Sequence, residues 1–191
     1  IVTVISVNDP PELDPLEDTT ISEDNPLEYE LSATDPDDQR SLIYTASSSN
    51  GVVSLEGPSL TFMPPENYNG DVIIDVTVSD GQLTDTGSFV VTVISVNDAP
   101  VLISLDNATI DEDNTLVYTL FASDVDGDEL TFSATSEYGT IFVEQTDLIF
   151  TPLLNYNGDI IINITVSDGE LTDTGSITVS VNPINDAPIL A

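Results

Sequence analysis

Lysine, histidine, cysteine and tryptophan are all missing from this chain of 191 residues, and Arg40 is its single basic side chain. Each absence closes off chemistry. Without histidine or cysteine there is no thiolate nucleophile, no imidazole base and no ordinary zinc site. Without lysine there is no P-loop, no Schiff base and no Lys–Asn isopeptide cross-link. Without cysteine there are no disulfides, so the fold must be held by its core and by any metal it binds. The one base faces 35 acidic side chains, for a formal charge of −34. Such a chain is repelled by nucleic acid and by anionic membrane surfaces. No apolar stretch is long enough to span a bilayer.

What is present is a patterned hydrophobic content of 40%, enough for packed cores despite the charge. The pentad "VNDAP" at 96–100 has near-copies at 7–11 ("VNDPP") and 184–188 ("INDAP"). Asn8 and Asn97 are 89 residues apart, and Asn97 and Asn185 are 88. That period suits one small domain per copy, with the pentad as punctuation. "VTVISVND" occurs at both 2–9 and 91–98, so residues 1–7 read as the last strand of a preceding repeat in a longer array. The organisation expected is therefore a preceding strand and linker at 1–9, repeat 1 at 10–97, repeat 2 at 98–185, and the next linker at 186–191.

Two motifs align well. "ISEDNPLEYELSATDPDD" (21–38) overlies "IDEDNTLVYTLFASDVDG" (110–127), and "NYNGDVIIDVTVSDGQLTDTGS" (67–88) overlies "NYNGDIIINITVSDGELTDTGS" (155–176). At period two, Leu27, Tyr29, Leu31 and Ala33 match Leu116, Tyr118, Leu120 and Ala122, while the residues between them vary. The constant set should face a core and the variable set solvent. The same reasoning turns Ile74, Val76 and Val78 inward, with Phe89, Val91 and Val93 and their matches Ile177, Val179 and Val181. Short strands, Gly- and Asn-rich turns and no helical period predict an all-β chain. It should form two tandem immunoglobulin-type β-sandwiches of about seven strands each.

The acids recur at fixed places: Glu23-Asp24, Asp35-x-Asp37, Asp80 and Asp98, with Glu112-Asp113, Asp124-x-Asp126 and Asp168 in repeat 2. In such a sandwich the loops after the second and sixth strands lie at one end, which gathers Asp124, Asp126 and Asp168. The pentad, with Asn97 and Asp98, enters at that end. Oxygen donors alone, several of them carboxylates, suit Ca²⁺; Mg²⁺ demands a tighter octahedron and keeps its waters.

These motifs resemble cadherin repeats, and more closely the cadherin-like tandem repeats of large bacterial surface adhesins, over essentially the whole chain. The resemblance implies calcium held between repeats by an early acid, a linker, an Asp-x-Asp and a late Asp. Carried over, the inter-repeat site is Glu23, Asn97, Asp98, Asp124, Asp126 and Asp168. Half-sites would be Asn8, Asp9, Asp35, Asp37 and Asp80 at the start, and Glu112, Asn185 and Asp186 at the finish. This chain departs from the pattern in three places. Ser95 stands where the linker's first Asp would be, Ala99 follows Asp98 where a second Asn would, and "NYNG" replaces an Asp-Arg-Glu ligand pair. Fewer ions per junction than in animal cadherins is the expectation.

Plainer readings stand beside these. The pentad also works as a rigid turn fixed by Pro100. "DVDGD" (124–128) has the one-apart acids of a calcium loop, yet it and "VSDG" also contain Asp-Gly, a common turn signal, and repeat 1 has "DPDDQ" in the first place, so Gly127 and Asp128 are not shared. Glu23-Asp24 could be solvated edge acids. "NYNG" reads as structural, with Tyr68 and Tyr156 tying a corner and Asn69-Gly70 supplying a positive-φ turn. "NAT" (107–109) and "NIT" (163–165) match the glycosylation pattern, which arises often by chance.

The expected function is that of non-enzymatic, calcium-rigidified spacer or adhesion repeats of a bacterial surface or secreted protein, with neighbouring repeats as partners and no membrane insertion. The rival readings are repeats that bind another copy or a surface ligand, with Val117 and Phe121 as outward candidates, or that pack into a filament or sheath. Glycosidase or carbohydrate-binding roles are disfavoured by the absence of Trp and by 6% aromatics overall.

Overall fold

The computed structural model describes residues 7–37 and 41–187. The expected strand over residues 1–7 lies outside the described residues except for Val7, and so do Arg40 and residues 188–191. Every regular element described is a strand, and no helix is long and apolar enough to cross a membrane. The chain divides into two units, Ile1–Val96 and Asn97–Ala191.

The first unit contains β1 (Glu12–Leu13), β2 (Thr19–Ser22), β3 (Leu27–Glu30), β4 (Ala33–Thr34), β5 (Ile43–Ser48), β6 (Val52–Glu56), β7 (Ser59–Met63), β8 (Gly70–Ser79) and β9 (Thr84–Ile94). One sheet runs β2-β9-β8-β5, with β2 parallel to β9, and a second runs β3-β7-β6. Leu27, Leu60 and Phe62 from the second sheet share one buried cluster with Val72, Ile74, Val76, Phe89, Val91 and Val93 from the first. Two sheets closing on one core make a sandwich.

The second unit repeats this plan with β10 (Val101–Ile103), β11 (Ala108–Asp111), β12 (Leu116–Thr119), β13 (Phe121–Ser123), β14 (Thr131–Ser136), β15 (Gly139–Glu144), β16 (Asp147–Pro152), β17 (Gly158–Ser167) and β18 (Thr172–Asn182). Its sheets are β11-β18-β17-β14 and β12-β16-β15. Its core joins Leu116, Leu120, Leu148 and Phe150 to Ile160, Ile162, Ile164, Ile177, Val179 and Val181.

The count of about seven strands becomes nine segments in each unit because its first two strands each change partners midway. β1 pairs with β4 while β2 pairs with β9, as β10 pairs with β13 while β11 pairs with β18. The second strand divides too. In the first unit β3 pairs with β7, the amide of Leu31 turns to the Pro58 carbonyl (2.9 Å), and β4 then pairs with β1. In the second, Leu120 turns to Thr146 (2.7 Å) between β12 and β13. The alternating faces are as the pattern predicts: Leu27 and Leu31 are buried, and Glu28, Glu30 and Ser32 are exposed.

Acids also secure the first strand of each unit. Asp85 accepts the Leu13 amide (2.9 Å), as Asp173 accepts that of Leu102 (2.9 Å). The Leu13 amide is the main reason Asp85 is held below the usual carboxylate range, with the Thr86 amide second. The "NYNG" corner has the positive-φ glycine expected of Asn69-Gly70 and one further left-handed residue. That residue is the first asparagine, Asn67 (φ 53°), whose amide donates to the Asp24 carboxylate (3.1 Å). Gly70 takes φ 130°, a conformation that side-chain-bearing residues rarely adopt, and a Cβ there would also crowd the Tyr68 hydroxyl oxygen at 3.1 Å. That hydroxyl donates to the Asp71 carbonyl (3.3 Å), and Tyr156 does the same to Asp159 (3.3 Å), so the tyrosines tie the corners.

Candidate metal centre

In the second unit, β13 ends at Ser123 and the acids of "DVDGD" follow at once. Asp124 organises this loop: its Oδ1 accepts the amides of Asp126 (2.9 Å), Gly127 (3.1 Å) and Asp128 (3.4 Å). Gly127 takes φ 80°, which lets the chain wrap the carboxylate. Asp124 Oδ2 is hidden from solvent and has no hydrogen-bond partner among the described residues. Oxygens of Asp124, Asp126 and Asp128 all lie within 4.8 Å of one another. Three like charges that close repel unless a cation joins them.

The pentad packs onto this group. The side-chain amide of Asn97 donates to Asp168 Oδ2 (2.9 Å), and the backbone amide of Asp98 donates to Asp126 Oδ2 (2.8 Å). Asp168, just past β17, also takes the amides of Glu170 (2.7 Å) and Leu171 (2.6 Å) on Oδ1. The Asn97 side chain, followed by the Leu171 and Glu170 amides, keeps Asp168 below the usual carboxylate range, so it stays ionised. Asn97, Asp98, Asp124, Asp126 and Asp168 thus come together within this unit.

The first unit carries the same arrangement at its own start. Asn8 donates to Asp80 Oδ2 (2.6 Å), the Asp9 amide donates to Asp37 Oδ2, and Asp35 Oδ1 accepts the Asp37 amide (2.9 Å). Asp80 is 6% exposed and accepts the Gln82 (2.6 Å) and Leu83 (2.7 Å) amides. The turn reading of "VSDG" and the grouping with the pentad both hold for this residue.

Glu23, at the end of β2, is not a solvated edge acid. It is 3% exposed, its amide donates to the Ile94 carbonyl (2.9 Å), and its Oε1 accepts the Val96 amide (2.6 Å). It therefore grips its own unit's chain one residue before Asn97. Glu112 is 5% exposed and does the same, with its amide on Asn182 (2.8 Å) and Oε1 on the Ile184 amide (2.5 Å). Asn185, one residue on, donates to the Asp186 carbonyl (3.3 Å).

Oxygen-only donors, an orphaned buried carboxylate oxygen and no basic side chain among the described residues fit a hard divalent cation, and Ca²⁺ above Mg²⁺. Sequence comparison between the repeats missed Asp128, because Gln39 occupies the matching place. The signal was the one-apart spacing of acids within "DVDGD" itself.

The family model described as "Bacterial Ig domain" matches residues 8–92 and again 97–180. Among solved structures, human protocadherin-24 EC1-2 is similar at a TM-score of 0.58 and 17% identity, covering 96% of this chain and 100% of that one. Human mucin-like protocadherin EC1-2 is similar at 0.51 and 18%, covering 91% and 98%. At such identities the likeness is one of fold. An endo-fucoidan hydrolase from glycoside hydrolase family 107 matches at a TM-score of 0.42 and 22% identity; the alignment covers 90% of this chain and only 28% of that one. No curated protein matches the chain in sequence.

Proposed function

Since this chain belongs to the bacterial Ig domain family, as two consecutive copies, we propose that it is a calcium-stiffened spacer segment of a long extracellular bacterial surface protein. Calcium is bound at the junctions between repeats. The observation that carries this reading is Asp124, whose Oδ1 is consumed by the loop's amides while its hidden Oδ2 has no partner among the described residues.

The ligands are Glu23, Asn97, Asp98, Asp124, Asp126 and Asp168, with Asp128 added by its closeness to Asp124 and Asp126. Equivalent half-sites are Asn8, Asp9, Asp35, Asp37 and Asp80, and Glu112, Asn185 and Asp186. Calcium supplies charge neutralisation and a common anchor for these oxygens. The protein's own residues do the rest. Glu23 holds the chain at Val96, Asn97 pins the next residue to Asp168, and Asp98 is drawn to Asp126. A cation shared by Glu23 and the acids of the second repeat then restricts the bend between Val96 and Asn97. Extracellular modules of this kind bind Ca²⁺ at about 10⁻⁴–10⁻³ M, so the segment is rigid in calcium-rich surroundings and loose without the ion. Acids away from the junctions keep neighbouring copies apart.

Calorimetric titration of the chain with CaCl₂ tests this directly. Saturable heat in that concentration range is expected, and it should be at least tenfold weaker in Asp126→Asn. A chain that gives no heat up to 10 mM, about tenfold above the upper end of that range, is not calcium-stiffened.

A second reading, direct adhesion or lateral packing, is favoured by one feature. Val117, Ile149 and Phe142 stand in register across β12-β16-β15, with Val117 and Phe142 exposed, where the first unit has Glu28, Thr61 and Ser54. Sedimentation of the chain in calcium checks it: association that Phe142→Thr abolishes supports adhesion, and a monomer at all concentrations removes self-association.

A further inference from the structure

The two units differ where β14 turns into β15. In the first unit Ser49 extends the ladder one residue past β5: its amide donates to the Ile73 carbonyl (2.9 Å), and its hydroxyl accepts the Ile73 amide (3.0 Å). The hydroxyl of Ser48 closes on Gly51 (3.1 Å). In the second unit "SSNG" becomes "SEYG". Glu137 and Ile161, at the matching places, make no such pair among the described residues, and Ser136 Oγ is hidden from solvent without a partner. A cleft of about 500 Å³ opens there, lined by Ser136, Glu137, Tyr138, Asp159, Ile161 and Asn163.

Its wall is aromatic. Tyr138 is 44% exposed and stacks on Tyr156, with ring centroids 5.1 Å apart and planes at 28°. One face of Tyr138 is thereby braced, leaving exposed ring surface to meet a ligand. In the first unit Asn50 stands at this place, and among the described residues Tyr68 stacks on no ring. Asp159, Ile161 and Asn163 alternate outward along β17, so two polar side chains flank one apolar one. Asp159 is steadied by the Ser180 hydroxyl on Oδ1 (2.7 Å), which leaves Oδ2 to accept from a ligand.

We propose that this cleft binds one pyranose ring of a neutral or amino sugar. Clefts of this volume hold small ligands. A braced, exposed ring offers a flat apolar platform for the C–H face of a pyranose. Carboxylates accept from paired hydroxyls, and the Asn163 amide both donates and accepts. Glu137 and Asp159 repel uronic and sulfated sugars. The low aromatic content weighs against sugar binding as an average; the fold concentrates two of six tyrosines at one place. This site is separate from the calcium reading and does not rest on it.

The test is saturation-transfer NMR on the whole 191-residue chain, in calcium and in chelator. The probes are the methyl glycosides of glucose, galactose, N-acetylglucosamine, glucosamine and glucuronic acid. Transfer to at least one of the first four is expected, with amide shifts confined to 135–139 and 159–163 and the glucuronide at least tenfold weaker. The double variant Glu137→Ser, Tyr138→Asn installs the first unit's own turn. It should melt as the parent does and bind at least tenfold more weakly. No transfer from any of the first four sugars, equal binding of the glucuronide, shifts elsewhere, or unchanged binding in the double variant each overturns the proposal.

Discussion

Replacing Glu23 by glutamine removes one negative charge while keeping the side chain's length and its Oε1 acceptor for the Val96 amide. The fold of the first unit should therefore survive, and only the cation should feel the change. A carboxylate oxygen at about 2.4 Å from Ca²⁺ is attracted by about 3.5 kcal/mol even at the permittivity of water. A neutral amide oxygen retains part of that, so the dissociation constant should rise by about ten- to a few-hundredfold. The consequence for stability follows by linkage. With a dissociation constant of about 10⁻⁴ M, 10 mM calcium stabilises the bound state by about 2.7 kcal/mol. At a hundredfold weaker binding this falls to about 0.4 kcal/mol. For repeats of this size, that is a calcium-dependent rise in Tm of about 10–20 °C shrinking to about 2–3 °C. Calorimetry in calcium and in chelator reads both numbers. A Glu23→Gln variant with the parent's affinity and the parent's calcium-dependent rise in Tm would refute Glu23 as a ligand.

Three further outcomes follow from the fold and its acids. Phe150→Ala empties a fully buried site in the second core and should cost about 3–5 kcal/mol, seen as an early transition in a denaturant melt while the first unit unfolds as before. Gly139→Ala places a Cβ 2.4 Å from the Thr151 carbonyl and 2.5 Å from the Phe150 ring, and should destabilise by about 1–3 kcal/mol in the same melt. Asp85 has a lowered pKa in the folded state, so the unfolded chain takes up its proton first as pH falls. Its contribution is complete above about pH 3.9, the unfolded value, and is lost as pH falls through the folded one. In chelator, Asp85→Asn should therefore be less stable than the parent at pH 7, with the difference vanishing below that window.

The sequence was legible wherever burial repeats at period two. Leu27 and Leu31, Ile74 to Val78 and Phe89 to Val93 declare their faces because a sheet alternates them, and a second copy shows which face tolerates change. The grouping of Asn8 with Asp80 and of Asn97 with Asp168, more than seventy residues apart, follows from two loops sharing one end of a sandwich. Three things were hidden. Glu23 and Glu112 were named as candidate ligands, but their burial was not foreseen, because what buries them is the exit of their own last strand, a tertiary contact with no local signature. The Asn69-Gly70 signal found the positive φ at Gly70, but not the left-handed Asn67, whose amide is held by a carboxylate 43 residues away. The Tyr138–Tyr156 pair is a product of the turn's geometry, which a ring count averages away.

Small-angle scattering of the chain in millimolar calcium and in chelator addresses the central claim most directly. The account predicts a stiff, extended particle with calcium that becomes a broad ensemble when the ion is removed, and a Glu23→Gln variant that resembles the chelated form at intermediate calcium. Identical scattering in the two conditions, at concentrations where calorimetry shows the ion bound, would contradict calcium as the clamp between repeats.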